Sequence, residues 1–122
     1  LGGSALTAFR LRDRSGHAVW GGGSLRTPDG DLRTFAAGDV VFTPQRFWKS
    51  PASQASYPVE WAVTTPAGAF TVRAVIDNQE LDSRASTGTI YWEGLSELLD
   101  ADGRVVGRGY LEMTGYAQAL RL

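Results

Sequence analysis

Carboxylates and aromatic side chains are interleaved in the C-terminal third of the sequence, and they are its strongest candidates for chemistry. Glu93 lies in Tyr91-Trp92-Glu93-Gly94, and a second run of similar residue types spans 107–116. A carboxyl group beside aromatic rings loses hydration, which raises its pKa and suits it to donate a proton. Aromatic faces can also stabilise a developing cation. The pattern predicts acid chemistry, with Glu93 as the candidate catalytic residue.

The same residues also have a purely structural interpretation. Tyr, Glu and Arg on the polar face of paired strands commonly form a solvated or interface surface with cross-strand contacts. Arg108 would lower the pKa of a neighbouring carboxylate, which argues against a proton donor at that place. Both interpretations stay open from the residues alone.

Other reactive constellations have little support in the sequence. His17 is the only histidine and lies beside a turn, so we expect neither a Ser-His-Asp triad nor a histidine-ligated metal. The run 21–23 of three glycines resembles a phosphate loop, but no helix follows it. Asp77, Glu80 and Asp82 lack the spacing and the glycine of a calcium loop. We therefore expect no metal and no cofactor.

A predicted C-terminal hairpin positions the candidate residues. A turn at 100–103 would place Leu99 opposite Arg104, Glu93 opposite Tyr110 and Tyr91 opposite Glu112. Because side chains alternate along a strand, one face becomes apolar and the other aromatic and acidic. The second face then carries Tyr91, Glu93, Glu97, Arg108, Tyr110, Glu112, Thr114 and Tyr116.

The rest of the chain also reads as short strands separated by turns. Strands are predicted at about 5–12, 17–26, 32–35 and 40–43, with Phe9 opposite Trp20 and Leu11 opposite Ala18 in an apolar cluster. The segment 44–58 is predicted to be irregular, covering one end of the fold or gating a ligand.

A central hairpin over 57–76 is the clearest of the predicted pairings. It pairs only apolar residues on one face, and on the other it pairs Glu60 with Arg73 in an exposed ion pair. The predicted apolar pairs are Val63 with Phe70, Trp61 with Val72, Val59 with Ala74, and Tyr57 with Ile76.

These elements predict an all-β fold: an antiparallel meander closed into a β-barrel of about eight strands, since closure removes exposed edges. A barrel of this size can be filled with side chains or hold one small ligand. The length of 122 residues indicates one domain over 1–122.

Composition excludes several functions. The net charge of −1 and a single lysine, Lys49, argue against nucleic-acid binding. No apolar run approaches the roughly 18 residues that span a membrane, so no transmembrane segment is expected. The sequence begins at Leu1 without an initiator methionine, so we expect further sequence upstream.

Several motifs in order resemble one known family. They are 48–51 (WKSP), 57–61 (YPVEW), 77–81 (DNQEL), 91–94 (YWEG) and 107–116 (GRGYLEMTGY). Together they are similar to the carotenoid 1,2-hydratase / AttH-like (CrtC-type) lipocalin-like proteins, over essentially the whole chain. The resemblance implies two consecutive calycin-like barrels, of which this chain is the second. It also implies a bacterial secreted, periplasmic or membrane-peripheral protein.

The resemblance carries expectations about function as well. It implies an apolar, isoprenoid-like ligand and a cofactor-free hydratase acting on a C=C bond, completed by an upstream segment. Glu93 would be the catalytic residue, and the partner an upstream lipocalin-like barrel or a second copy of the chain. The alternative is a non-catalytic module that binds lipid or docks against a barrel. The ligand-binding or interface residues would be Tyr91, Trp92, Tyr110, Glu112, Tyr116, Glu80 and Trp48.

Overall fold

A computed structural model describes residues 3–12, 15, 18–86 and 88–117. In these residues the regular structure is nine strands and one short 3-10 turn at Ala37–Asp39, so the all-β prediction is confirmed. The strands are β1 (Ala5–Arg12), β2 (Ala18–Arg26), β3 (Leu32–Phe35), β4 (Val41–Lys49), β5 (Ser56–Thr65), β6 (Gly68–Ala74), β7 (Glu80–Ser83), β8 (Thr89–Leu99) and β9 (Val105–Thr114).

The strands form two antiparallel sheets. The first has the order β1-β2-β3, and the second has the order β4-β5-β6-β8-β7, with β9 paired to β8. One edge of β8 pairs with β9, while its other edge pairs with β7 over its first four residues and with β6 over its last four residues. Among the described residues no strand of the first sheet pairs with a strand of the second, so closure into a barrel stays a prediction.

The core lies between the sheets, and β5 contributes most to it. Burying one large apolar side chain stabilises the fold by roughly 1.5–3 kcal/mol. Leu6, Ala8 and Leu25 of the first sheet pack against the residues buried on the second. The buried cluster is Phe35, Val40, Ala55, Tyr57, Val59, Trp61, Val63, Ala74, Trp92 and Met113.

The central hairpin has its predicted register at the turn but is shorter than predicted. Val63 lies opposite Phe70 and Trp61 opposite Val72, both as predicted. The ladder stops at the pair of Glu60 with Arg73, so the outer two apolar pairs do not form. The pairing of Tyr57 with Ile76 is wrong because β6 ends at Ala74.

The ion pairs around this hairpin also differ from the prediction. The guanidinium of Arg73 lies 3.1 Å from Glu97, its neighbour on β8, while Glu60 is 4.0 Å from Arg46 on β4. The predicted pair of Glu60 with Arg73 therefore gives way to two others. The reason is that β5 and β6 each have a second neighbouring strand, which the isolated hairpin did not include.

The C-terminal hairpin is displaced by two residues from its predicted register. Glu93 lies opposite Glu112, and Tyr91 lies opposite Thr114. The loop between Leu99 and Val105 is one residue longer than predicted, and a bulge next to Leu99 adds one more. Because side chains alternate with a period of two, a total shift of two residues leaves each side chain on its predicted face. The residues that lie opposite one another differ from the prediction.

The first hairpin is displaced in the same way, and its inward face differs from the prediction. Phe9 lies opposite Gly22 and Leu11 opposite Trp20, with a bulge after Leu11. Phe9 and Leu11 are 38% and 40% exposed, so these two residues of the predicted apolar cluster lie on the more exposed face of β1. The half-buried face carries Leu6, Ala8, Arg10 and Arg12.

The segment predicted to be irregular is mostly strand. β4 runs to Lys49 and β5 begins at Ser56, which leaves only six residues, 50–55, between them. Pro44 is accommodated because β4 is an edge strand and its register shifts between Pro44 and Arg46.

The connection between β6 and β7 is fixed by the side chain of Gln79. Its Oε1 accepts a hydrogen bond from the Leu95 N–H (3.1 Å), and its Nε2 donates to the Ile76 carbonyl (2.7 Å). A Cβ on Gly94 would collide with the end of the Gln79 side chain, so a larger residue at position 94 would displace that side chain from these hydrogen bonds. Beside it, the buried Trp92 donates from Nε1 to the Asp77 carbonyl (2.7 Å).

Candidate functional site

A cavity of about 460 Å³ lies between β1 and the second sheet and opens beside β9. Its apolar wall is built by inward-facing residues of both sheets. The wall includes Leu6, Phe42, Val63, Val72, Leu111 and Met113.

Glycines on β9 create part of this space. Gly107 and Gly109 lie opposite Leu98 and Ser96, in alternation with the inward-facing Leu111. A Cβ built on Gly109 would meet nothing within 4 Å. The sequence therefore leaves the interior unfilled at the point where a larger residue would occupy it.

Three of the polar side chains that line the cavity, those of Arg10, Trp61 and Ser96, lie beside its apolar wall. The guanidinium carbon of Arg10 lies 5.3 Å from the centre of the Trp61 ring and 5.6 Å from that of Phe42. Trp61 and Ser96 are 5% and 2% exposed, and neither the Trp61 Nε1 nor the Ser96 Oγ has a hydrogen-bond partner in the described residues. All three residues line the cavity.

The rim of the cavity lies where β1 approaches the end of β9. Arg12 donates to the Thr114 carbonyl (3.4 Å), and its guanidinium carbon lies 3.9 Å from the centre of the Tyr116 ring. Tyr110, 76% exposed, and the exposed Glu112 complete the rim. Among the predicted ligand-binding or interface residues, Tyr110, Glu112 and Tyr116 therefore lie at the cavity.

A second polar cluster surrounds Glu80. Its carboxylate accepts hydrogen bonds from the hydroxyls of Ser50 (2.6 Å), Ser53 (2.5 Å) and Tyr57 (2.7 Å). Burial alone would raise the pKa of Glu80, but the three hydroxyls together hold it below its usual value. Burial, followed by the contact with Glu80, raises the pKa of Tyr57, which keeps its proton.

Trp48 belongs to this second cluster. Its ring stacks on Tyr57 at 6.2 Å between centroids, and Tyr57 in turn contacts Tyr116 at 5.8 Å. The hydroxyls of Ser50 and Ser53 also accept backbone N–H bonds within the connection 50–55. The hydrogen bonds of Glu80 thus connect β7 to β5 and to the segment 50–55, so this cluster stabilises the fold.

The remaining predicted site residues lie on β8. Trp92 is fully buried in the core. Tyr91 and Glu93 are half-buried and lie on the opposite face of β8 from Trp92, and neither of them lines the cavity. Glu93 faces Glu112 directly, so two carboxylates meet across the strands. The structure therefore separates Glu93 from the apolar cavity.

Several residues of the two clusters were not predicted as site residues. Arg10, Trp61 and Ser96 line the cavity, and Ser50 and Ser53 bind Glu80. A signal for Arg10 exists in the alternation of 6, 8, 10 and 12, which places a charged residue on the same face as Leu6 and Ala8. The serines carry no comparable signal because their partner is far away in sequence.

The described residues give no other candidate chemistry. Within them, no group of three or more His, Cys, Asp or Glu side chains could hold a metal ion. No helix in the same part of the chain is long and apolar enough to cross a membrane. His17 lies outside the described residues.

Comparisons with known proteins agree with the fold. The structure is similar to that of an AttH protein of Nitrosomonas europaea, with a TM-score of 0.88 and 43% identity over 94% of this chain and 36% of that chain. Kievitone hydratase of Nectria haematococca matches with a TM-score of 0.69 and 19% identity, over 96% of this chain and 36% of that chain. The second likeness shows a shared lipocalin-like fold alone.

The chain thus spans little more than a third of the length of these solved relatives. A search of the curated proteins found no significant match. The model of one family, described as AttH-like, matches residues 2–116. The family predicted from the motifs is therefore confirmed, and this chain belongs to the AttH-like family.

Proposed function

We propose that this chain is a lipocalin-like domain that binds an apolar, isoprenoid-like ligand in the cavity between β1 and β9. The observation that carries the proposal is the cavity itself. Its volume of about 460 Å³ falls within the roughly 300–1,000 Å³ typical of small-molecule sites. Its wall combines apolar side chains with polar and charged ones, among them Arg10, Ser96 and Glu97.

The open seam between β1 and β9 provides the entrance in this proposal. The two strands are bridged by the contact of Arg12 with the Thr114 carbonyl rather than by a ladder. We propose a barrel-like container that a ligand enters at this seam. A side-chain bridge of this kind can open without breaking a sheet.

The test is to fill the cavity and measure binding. Gly109→Leu adds a side chain where a Cβ meets nothing, so the fold should tolerate it while the cavity loses volume. Farnesol, an apolar isoprenoid alcohol, should bind the full-length protein in titration calorimetry, and Gly109→Leu should weaken that binding by at least about tenfold.

Gly38→Leu is the matched control, because a Cβ at Gly38 also meets nothing within 4 Å and Gly38 does not line the cavity. It should bind farnesol like the parent protein. Equal affinity for all three proteins would contradict binding in this cavity.

A hydratase role in the longer protein is the second candidate function. It is supported by the AttH-like family, by a fold shared with a hydratase, and by the two facing carboxylates of Glu93 and Glu112. In this proposal the Glu93 carboxylic acid protonates a C=C bond at a junction with an upstream barrel, and aromatic faces hold the resulting cation. Water then adds to the cation and returns a proton to the Glu93 carboxylate. No cofactor is required.

Turnover of an acyclic carotenoid by the full-length protein tests this candidate. Glu93→Gln should reduce formation of the hydroxylated product with little change in folding. Glu60→Gln, which affects the ion pair with Arg46 and does not line the cavity, should leave product formation unchanged. Tight retention of the carotenoid without any product would leave only the binding function.

The non-catalytic alternative is a docking surface on the outer face of β8 and β9. Leu95 and Tyr110 lie opposite one another and are both exposed, which is unfavourable for two apolar groups unless another surface covers them. We propose an upstream barrel or a second copy of the chain as the partner. Tyr110→Glu should then weaken that association in sedimentation measurements.

A further inference from the structure

We propose that the ligand of the cavity is an amphipathic anion, whose acidic head group is bound by Arg10 while its apolar body fills the cavity. This inference rests on the proposed function, because it assumes that the cavity holds an apolar ligand. It adds the chemistry of the head group, a carboxylate or a phosphate.

The first observation is the position of Arg10. It lies on the half-buried face of β1 together with Leu6 and Ala8, and it lines the cavity. Its guanidinium contacts two aromatic rings, those of Trp61 and Phe42. A cation on the inward face of a strand is unusual and indicates a role inside the fold.

The second observation is that no carboxylate among the described residues lies within ion-pair distance of Arg10. Arg46, Arg73 and Arg84 each lie within 3.1 Å of a carboxylate oxygen. The described residues provide no such carboxylate for Arg10. Its contacts with the rings stabilise the charge but use none of the five N–H donors of a guanidinium.

The third observation is the presence of further unused polar groups in the cavity wall. The indole N–H of Trp61 and the hydroxyl of Ser96 are buried and have no partner in the described part of the chain. Buried donors without acceptors are rare in native proteins, and each one needs an explanation. An acid head group supplies acceptor oxygens to donors of this kind.

The carboxylates of the cavity do not compete with this assignment. Glu97 is paired with Arg73 at 3.1 Å, and Glu112 is exposed at the rim. The fork of a guanidinium matches the two oxygens of a carboxylate or phosphate, so Arg10 can bind either group with two parallel hydrogen bonds.

The test compares three farnesyl compounds with the same apolar body: farnesol, farnesoic acid and farnesyl monophosphate. Titration calorimetry on the full-length protein at neutral pH should show at least one of the two anions binding about tenfold or more tightly than farnesol. The stronger of the two anions identifies the head group as carboxylate or phosphate.

Arg10→Met tests whether Arg10 is responsible. Methionine keeps an apolar side chain against Trp61 and Phe42 but removes the charge, so the preference for the anion should disappear while farnesol still binds. Arg33→Met is the matched control, because Arg33 also lies over an aromatic ring, Phe35 at 5.6 Å, and does not line the cavity. Arg33→Met should keep the preference.

The outcomes separate the two proposals. Equal binding of all three compounds by the parent protein overturns the anionic head group and leaves the apolar site standing. No binding of any compound overturns the proposed function itself. If Arg33→Met loses the preference for the anion as fully as Arg10→Met does, the preference comes from the overall charge of the protein, and the role of Arg10 is overturned. The comparison in the parent protein decides the head group even if Arg10→Met does not fold.

Discussion

The hydroxyl of Tyr57 provides a sharp test of how Glu80 stabilises the fold. Tyr57→Phe removes one oxygen from a fully buried ring and keeps the aromatic contacts with Trp48 and Tyr116. The only hydrogen bond lost in the described structure is the donation of 2.7 Å to the Glu80 carboxylate. The substitution therefore isolates one interaction.

The expected magnitude follows from the kind of bond. A hydrogen bond to a charged group contributes about 1.5–3 kcal/mol. Glu80 keeps the hydroxyls of Ser50 and Ser53, which limits the loss. We expect Tyr57→Phe to lower the free energy of unfolding by about 2 kcal/mol at pH 7.

The pH dependence of this difference has a definite sign. The pKa of Tyr57 is raised in the folded protein by burial and by Glu80, so its contribution is present below the ordinary tyrosine pKa of about 10 and is lost as the pH rises further. Burial raises the pKa of Glu80, but its hydroxyl partners lower it by more, so the folded-state pKa lies below the ordinary value. The contribution of Glu80 to stability is therefore present above about pH 4.5 and is lost as the pH falls. The difference between the two proteins should be largest between these limits.

Urea unfolding of both proteins at acid, neutral and alkaline pH measures the difference. Tyr110→Phe is the control: Tyr110 is 76% exposed, so this change should stay within about 0.5 kcal/mol at every pH. The assigned role of the Glu80 cluster would be refuted if Tyr57→Phe lowered the free energy of unfolding by less than about 0.5 kcal/mol at pH 7 and if this difference were no smaller at acid and alkaline pH.

Three further predictions concern the second sheet. Gly94→Ala should destabilise the fold by about 2 kcal/mol in urea unfolding, because the new Cβ displaces the Gln79 side chain and breaks its hydrogen bonds. The double variant with Gln79→Ala should lose less stability than the sum of the two single variants. Asp100→Ala should cost about 1–2 kcal/mol, since its carboxylate accepts two backbone N–H bonds of 2.9 and 3.0 Å in the hairpin turn; a loss equal to that of an exposed site would contradict this. Arg46→Gln should cost less than about 1 kcal/mol by the same measurement, although Arg46 binds Asp77 at 2.7 Å, because the pair is exposed; a larger loss would show that the pair is shielded from water.

Local pattern in the sequence was sufficient for the class of fold and for most strands. Alternation of apolar residues predicts β5 and β6 and the pairing of Trp61 with Val72, because one face of a hairpin must be buried. The same alternation places the residues of β8 and β9 on their correct faces. The motifs spread along the chain also predict the AttH-like family.

The exact partners across the hairpins depend on the three-dimensional structure. Bulges after Leu11 and beside Leu99 shift the register, and a bulge depends on the twist and packing of the whole sheet rather than on nearby residues. The extension of β4 through Pro44 likewise depends on its place at a sheet edge.

The candidate site is likewise predicted in part from the sequence and decided in part by the tertiary structure. The residue types at the rim, such as Tyr110, Glu112 and Tyr116, are evident in the sequence, and the structure brings them to the cavity. The separation of Glu93 from that cavity, and the meeting of Arg10 with Trp61 across two sheets, arise only on folding. The physical reason is range: alternation and turn residues act over a few positions, whereas a cavity is formed by strands far apart in the chain.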